Sequence, residues 1–140
     1  MKVDFYSKES GYGFLSEGGT RLYFRGEDFL RSETWEPMPI TGEEVTVEKT
    51  ESREKGSDVA RGIRRTSPPI QRVGIVESFD NTKGWGFLKS SLDGSKVFLH
   101  RSEMEGDWVP IKGSAVKFYE GFKGSRPRAC YVSKLSGGET

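Results

Sequence analysis

The stretch with the clearest chemical potential is Lys83-Gly84-Trp85-Gly86-Phe87, followed at short range by Val97-Phe98-Leu99-His100. A strand shows alternate side chains on one face, so Trp85 and Phe87 point the same way, as do Phe98 and His100. Two adjacent strands then present three aromatic rings and an imidazole together, while Leu88, Val97 and Leu99 point into a core. A core face needs bulk at every position, and Gly84 and Gly86 supply none. They leave the rings accessible to something flat, and unpaired nucleobases stacking on aromatic side chains are the usual occupant of such a platform. Lys83 adds a cation beside the rings. Lys89, Lys123, Arg126 and Arg128 are further candidate phosphate contacts.

No catalytic set accompanies these residues. With a single His100 and a single Cys130 the chain argues against a zinc site of the usual His/Cys type, so neither a metal nor a cofactor is expected. No Ser/His/Asp or Cys/His spacing signature occurs, and Gly11-Tyr12-Gly13 and Gly84-Trp85-Gly86 lack the strand-loop-helix setting of a dinucleotide fingerprint. The sequence therefore reads as a binding protein, not an enzyme. One cysteine excludes an internal disulfide framework and fits a reducing compartment. The start Met1-Lys2-Val3-Asp4 has no signal-peptide apolar region and no apolar run could span a membrane, so the expected location is the cytoplasm. A net charge of only +1 argues against coating duplex DNA by charge alone.

The elements that must position the rings occur twice. Met1-Lys2-Val3-Asp4-Phe5-Tyr6-Ser7 runs to Gly11-Tyr12-Gly13-Phe14-Leu15, as Gly74-Ile75-Val76-Glu77-Ser78-Phe79-Asp80 runs to Gly84-Trp85-Gly86-Phe87-Leu88, with Phe14 and Phe87 73 positions apart. Leu22-Tyr23-Phe24-Arg25 matches Val97-Phe98-Leu99-His100. Each copy reads as five short strands, near 2–7, 12–17, 20–25, 43–49 and 58–64, then near 72–80, 84–90, 95–100, 114–120 and 127–134. Glu17-Gly18-Gly19, Asp80-Asn81, Asp93-Gly94 and Lys123-Gly124-Ser125 mark turns. No segment keeps a 3.6-residue apolar period, so helix should be scarce. The domains are expected at 1–65 and 72–135, joined by Thr66-Ser67-Pro68-Pro69, a linker stiffened by its prolines. The tail Ser136-Gly137-Gly138-Glu139-Thr140 reads as disordered.

These motifs resemble the cold-shock domain, a five-stranded OB-fold barrel that binds single-stranded nucleic acid. Lys83-Gly84-Trp85-Gly86-Phe87-Leu88 is similar to the family's first ribonucleoprotein motif, Lys-Gly-Phe-Gly-Phe-Ile, and Val97-Phe98-Leu99-His100 to its second, Val-Phe-Val-His. The resemblance covers all of the second copy and, more weakly, the first. It implies an all-β protein of two five-stranded antiparallel OB-fold barrels in tandem. An RNA-recognition motif also carries a Gly-aromatic-Gly-Phe string, but it orders the two motifs the other way round and needs two helices.

The resemblance implies a set of nucleic-acid-binding positions. In the second copy these are Phe79, Lys83, Trp85, Phe87, Phe98, His100, Arg101 and Trp108; in the first, Phe5, Tyr12, Phe14, Tyr23, Arg25 and Trp35. Phe5 stands where the family has an exposed tryptophan, and Ser78 replaces it in the second copy. Asp4 and Glu77 replace the lysine before it, Arg25 replaces the family's histidine, and Arg101 replaces the aromatic after that histidine. Trp35 and Trp108 fall in matching loop positions, where the family places a stacking aromatic. Up to residue 65 there are 11 Lys and Arg against 13 Asp and Glu, a net of −2; residues 66–140 hold 11 against 8, a net of +3. The second copy is thus the expected stronger binder of single-stranded RNA or DNA, in the role of an RNA chaperone or a single-strand protector. The competing reading is an adaptor, in which the first copy or both grip a protein such as a transcription or replication factor.

Overall fold

The computed structural model describes residues 1–135; the expected disorder of the tail from Ser136 lies outside the described residues. The chain divides into two compact units, Met1–Pro69 and Ile70–Thr140. Their strands are β1 (Lys2–Ser7), β2 (Tyr12–Glu17), β3 (Thr20–Arg25), β4 (Val45–Glu51) and β5 (Val59–Arg65), then β6 (Gln71–Asp80), β7 (Trp85–Ser90), β8 (Lys96–His100), β9 (Ala115–Lys123) and β10 (Arg126–Lys134). Among the described residues the only helical pieces are two 3-10 turns, Gly26–Asp28 and Arg101–Glu103, each directly after the third strand of its unit.

The second unit is a closed barrel in the order β10-β8-β7-β6-β9. Ten-residue β6 makes closure possible: its first half, Gln71 to Ile75, pairs with β9, and its second half pairs with β7. All pairings are antiparallel except β8 with β10, which meet in parallel at Phe98 and Arg128. Val76, Leu88, Val97, Leu99, Val116, Phe118, Ala129 and Val132 fill the interior. On β7 and β8 they alternate with exposed or half-exposed residues, the period-2 pattern of a one-sided sheet, whereas residues 129–132 of β10 are buried in a run.

The first unit corrects the expectation of two barrels. Its sheet runs β1-β2-β3-β5-β4 and is not closed. Six-residue β1 is taken up by β2, and it reaches the start of β4 only through the bridge Lys2↔Glu44 and backbone bonds such as Val3 N–H to the Glu43 carbonyl (2.9 Å). Its separate core is Val3, Leu15, Leu22, Phe24, Phe29, Val45, Ala60 and Ile63. Again one pairing is parallel, β3 with β5, at Tyr23 and Val59.

The turn between β6 and β7 presents Lys83 and Trp85 to the surface on either side of the buried Gly84. Asp80 Oδ1 accepts the backbone N–H of Thr82 (2.9 Å) and of Lys83 (3.0 Å), and Gly84 takes a φ of +81°, which favours glycine. These bonds, that from Lys83 foremost, hold the Asp80 carboxyl below its ordinary value of 3.8. A carboxyl depressed on folding contributes stability that is complete above its unfolded value and is lost as pH falls through its folded one. The difference in urea midpoint between the wild type and Asp80→Ala should therefore stay constant above about pH 5 and shrink below pH 3.8. A difference that persists undiminished at low pH would show that the carboxylate charge is not what holds the turn.

Candidate nucleic-acid interface

In the second unit the β7–β8 hairpin sets the site. Its register pairs Trp85 with His100 and Phe87 with Phe98, which puts all four side chains on the outer face. Trp85 and Phe87 stand edge to face at 6.0 Å and 86°, and Phe87 and Phe98 at 5.9 Å and 72°. Trp85 and Phe98 are tilted by 34° at 6.1 Å, and His100 continues the row 6.2 Å beyond Phe98. Trp85 is 38% exposed. These rings line a groove of about 770 Å³ whose far wall is Lys123, Arg126, Pro127 and Arg128 from the β9–β10 hairpin.

Cations surround the rings. Lys96 Nζ lies 4.5 Å over Phe87, Lys83 Nζ 5.9 Å from the centre of Trp85, and the Arg128 guanidinium 6.0 Å over Phe98. Arg128 is also steadied by Glu103 at 3.6 Å. His100 caps the turn Arg101–Glu103: its Nδ1 accepts the Ser102 backbone N–H at 3.0 Å. In the neutral ring the proton then sits on Nε2, which leaves that edge as a donor.

Phe79, Arg101 and Trp108 do not join this row. The bulge between Val76 and Ser78 turns Ser78 to the ring face opposite Phe87 and sets Phe79 opposite Gly86, packed against the core. Arg101 donates from its guanidinium to the Asn81 carbonyl and from its backbone to the Gly84 carbonyl (2.9 Å). Trp108 packs on the core and donates from Nε1 to the Glu105 carbonyl at 2.7 Å. Together they line a second depression of about 510 Å³ with Met104 and Pro110.

The first unit repeats the ring geometry. Tyr12 and Phe14 stand at 6.1 Å and 87°, Phe14 and Tyr23 at 5.8 Å and 71°, and Tyr12 and Tyr23 are stacked at 5.7 Å and 27°. Phe5 adds a fourth ring, edge-on to Tyr12 at 6.0 Å and 41% exposed. Arg25 Nη1 reaches the Tyr23 hydroxyl at 3.4 Å. Trp35 is 61% exposed on the long loop after the first 3-10 turn and, among the described residues, stacks on none of these rings.

Three cations escaped the sequence reading. Lys96 and Arg21 lie two residues before Phe98 and Tyr23, so strand alternation alone places both on the ring face. Arg21 holds its guanidinium 3.9 Å over Phe14. Arg53, 4.5 Å over Tyr23, comes from the loop between β4 and β5 and had no periodic signal to reveal it. The glycines also have a different reason from ring access. Gly86 faces inward, and a Cβ there would lie 2.0 Å from the Ser78 carbonyl oxygen; at Gly13 the Phe5 carbonyl oxygen would be 2.1 Å away. The first strand of each unit crosses so closely that only glycine fits beneath it.

Residues 72–135 match the family model described as the 'Cold-shock' DNA-binding domain. The chain is 47% identical over 46 residues to cold shock domain-containing protein CG9705 of Drosophila melanogaster, covering 33% of this chain and 32% of that protein. It is 30% identical over 91 residues to human calcium-regulated heat-stable protein 1, covering 65% of this chain and 60% of that protein. The chain thus spans from about a third to three fifths of the length of these curated relatives. A solved structure, drosophila Unr CSD456, aligns over 96% of this chain and 62% of its own at 18% identity, with a TM-score of 0.39.

Proposed function

Through residues 72–135 the chain belongs to the cold-shock domain family, and from that premise we propose that it binds single-stranded RNA or DNA by stacking bases on Trp85, Phe87 and Phe98. The observation that carries this reading is the groove of the second unit, where three exposed or half-exposed rings lie in one row between Lys83, Lys96 and the Lys123–Arg128 wall. The rings take the faces of successive bases, the cations take the phosphates between them, and the His100 Nε2–H donates to a base or phosphate oxygen. Holding unpaired strands this way melts weak secondary structure or masks it, the work of an RNA chaperone or a single-strand protector, here in the cytoplasm. The reading is of a binding protein without catalytic activity. Phe79, Arg101 and Trp108 serve it from the flanking depression, by fixing the turn that carries Trp85 and by receiving a base beyond the row.

Titration with oligo-dT and oligo-U should quench tryptophan fluorescence, and Trp85→Ala should remove most of that change. Trp85→Ala and Phe98→Ala should each weaken binding by about 1–3 kcal/mol, the loss of one base stack. Because stacking dominates over charge, the salt slope should match only a few phosphates. An unquenched wild type that nonetheless captures a protein would replace this reading with the adaptor one. Binding unaffected by either alanine would place the strand elsewhere on the barrel.

A further inference from the structure

The net charge of −2 over the first 65 residues is a poor guide to the charge beside its rings. Several acids of that unit are already engaged by other cations. Glu36 and Glu43 bind the buried Arg65, Asp28 binds Arg61 at 2.8 Å, and Glu44 holds the N-terminal amine at 2.8 Å. The ring face itself carries three arginines. Arg21 lies over Phe14 and Arg53 over Tyr23, while Arg25 reaches the Tyr23 hydroxyl. Asp4 pairs with Arg21 only at 3.8 Å and Glu27 with Arg25 at 3.5 Å, each pair at least half exposed and therefore easily exchanged for another acceptor.

The two units therefore present nearly the same three-ring geometry with different cations. Arg21 in the first unit corresponds to Lys96 in the second, and Arg25 to His100. Lysine is a point charge with no fixed direction of donation, whereas a guanidinium is a planar fork that stacks on rings and donates two parallel hydrogen bonds. Guanine carries two acceptors side by side on its Hoogsteen edge, O6 and N7; adenine offers a donor beside its N7, and pyrimidines have no such pair there. Arg21 and Arg53 now cover the faces of Phe14 and Tyr23, so a base that takes either face displaces a guanidinium beside it, within reach of its edge.

We propose that the ring face of the first unit is a second single-strand site, selective for guanine through Arg21 and Arg53. This rests on the reading that such ring faces take unpaired bases. On a strand the two guanidinium groups leave the faces of Phe14 and Tyr23, where the bases stack, and turn to the base edges.

The test uses the full chain with Trp85→Ala and Phe98→Ala, which silences the second groove, and labelled strands of about seven nucleotides, within the span of one such fold. Plain thymidine DNA and uridine RNA strands are compared with strands bearing a central guanine, adenine or cytosine, by fluorescence anisotropy. Guanine strands should bind at least about fivefold tighter than the others, in DNA, RNA or both. Adding Arg21→Lys and Arg53→Lys, which keeps the charge and removes the fork, should bring the preference within about twofold. Equal binding of all strands, a preference for cytosine, or a guanine preference that survives both lysines overturns the proposal. A wild type that binds no strand overturns the underlying reading instead; a wild type that binds while the silenced chain does not overturns this site alone. Should the double alanine chain fail to fold by circular dichroism, Trp85→Ala with Lys96→Glu removes one stack and reverses one cation of the second groove, and the comparison stands.

Discussion

Gly86→Ala should unfold the second unit and leave the first intact. A methyl group built on Gly86 meets the Ser78 carbonyl oxygen at 2.0 Å and the Phe79 Cα at 2.6 Å, and neither is the movable end of a side chain. Relief requires β6 to lift from β7, yet β6 is also the strand whose first half closes the barrel onto β9. The cost should reach or pass the roughly 3 kcal/mol upper end of ordinary overpacking. A barrel of this size has little stability to lose, since small domains bury a modest core. Separate cores confine the damage, one built on Leu15 and Phe24 and the other on Leu88 and Phe118. Amide NMR of the full chain reads the outcome: signals from 70–135 should collapse to narrow dispersion while those from 1–69 persist. A dispersed spectrum with a loss below about 1 kcal/mol would mean the strand crossing is slack. Strand binding through Trp85 should vanish with the fold, so this variant distinguishes a glycine needed by the barrel from one needed by the ligand.

That distinction also marks where the sequence was legible. Alternation within Trp85-Gly86-Phe87-Leu88 and Val97-Phe98-Leu99-His100 gave the faces of both strands, because a half-buried sheet writes its two environments into a period of two. It equally contained Lys96 and Arg21, which a search centred on aromatic residues passed over. What alternation does not encode is how two distant segments approach. The glycine at position 86 is legible as a missing side chain, but the carbonyl that forbids one belongs to Ser78 on another strand. Closure of the second barrel and the open edge of the first depend on how many residues β6 and β1 have left after pairing with their hairpin partners. Arg53 reaches Tyr23 from a loop. The depression that gathers Phe79, Arg101 and Trp108 depends on a bulge after Val76 that shifts the face by one residue. Net charge per copy also counts acids that Arg65, Arg61 and the N-terminal amine already engage, so it does not report the charge beside the rings.

Arg65→Met should destabilise the first unit by about 3–5 kcal/mol, the range for removing one partner from a buried ion pair. The Arg65 side chain is 4% exposed and Glu36 6%. Its guanidinium forks onto Glu43, Nε to Oε1 at 2.8 Å and Nη2 to Oε2 at 2.9 Å, and donates from Nη1 to Glu36 at 3.2 Å. The same two terminal nitrogens bind the carbonyls of Pro37 (2.9 Å) and Met38 (3.1 Å), and the group stacks 4.7 Å over Phe29 in the core. One side chain thus bridges two carboxylates and ties down the loop that carries Trp35. Methionine keeps most of the volume but leaves Glu36 buried without a counter-ion, which is costlier than losing the pair outright. The second unit solves the same problem differently: the residue matching Arg65 is the exposed Lys134, and its loop is anchored by the Trp108 indole. The tryptophan is half-buried as the anchor in the second unit, while in the first an arginine holds the loop and Trp35 is 61% exposed. Urea unfolding of the full chain, followed by amide NMR in each unit, should show the first unit's midpoint fall and the second unit's stay. Adding Glu36→Gln and Glu43→Gln should restore part of the loss, since the buried charge is then gone. A loss below about 1 kcal/mol, or no recovery with both glutamines, would mean that the loop is held by its apolar contacts and that Trp35 owes its exposure to something other than Arg65.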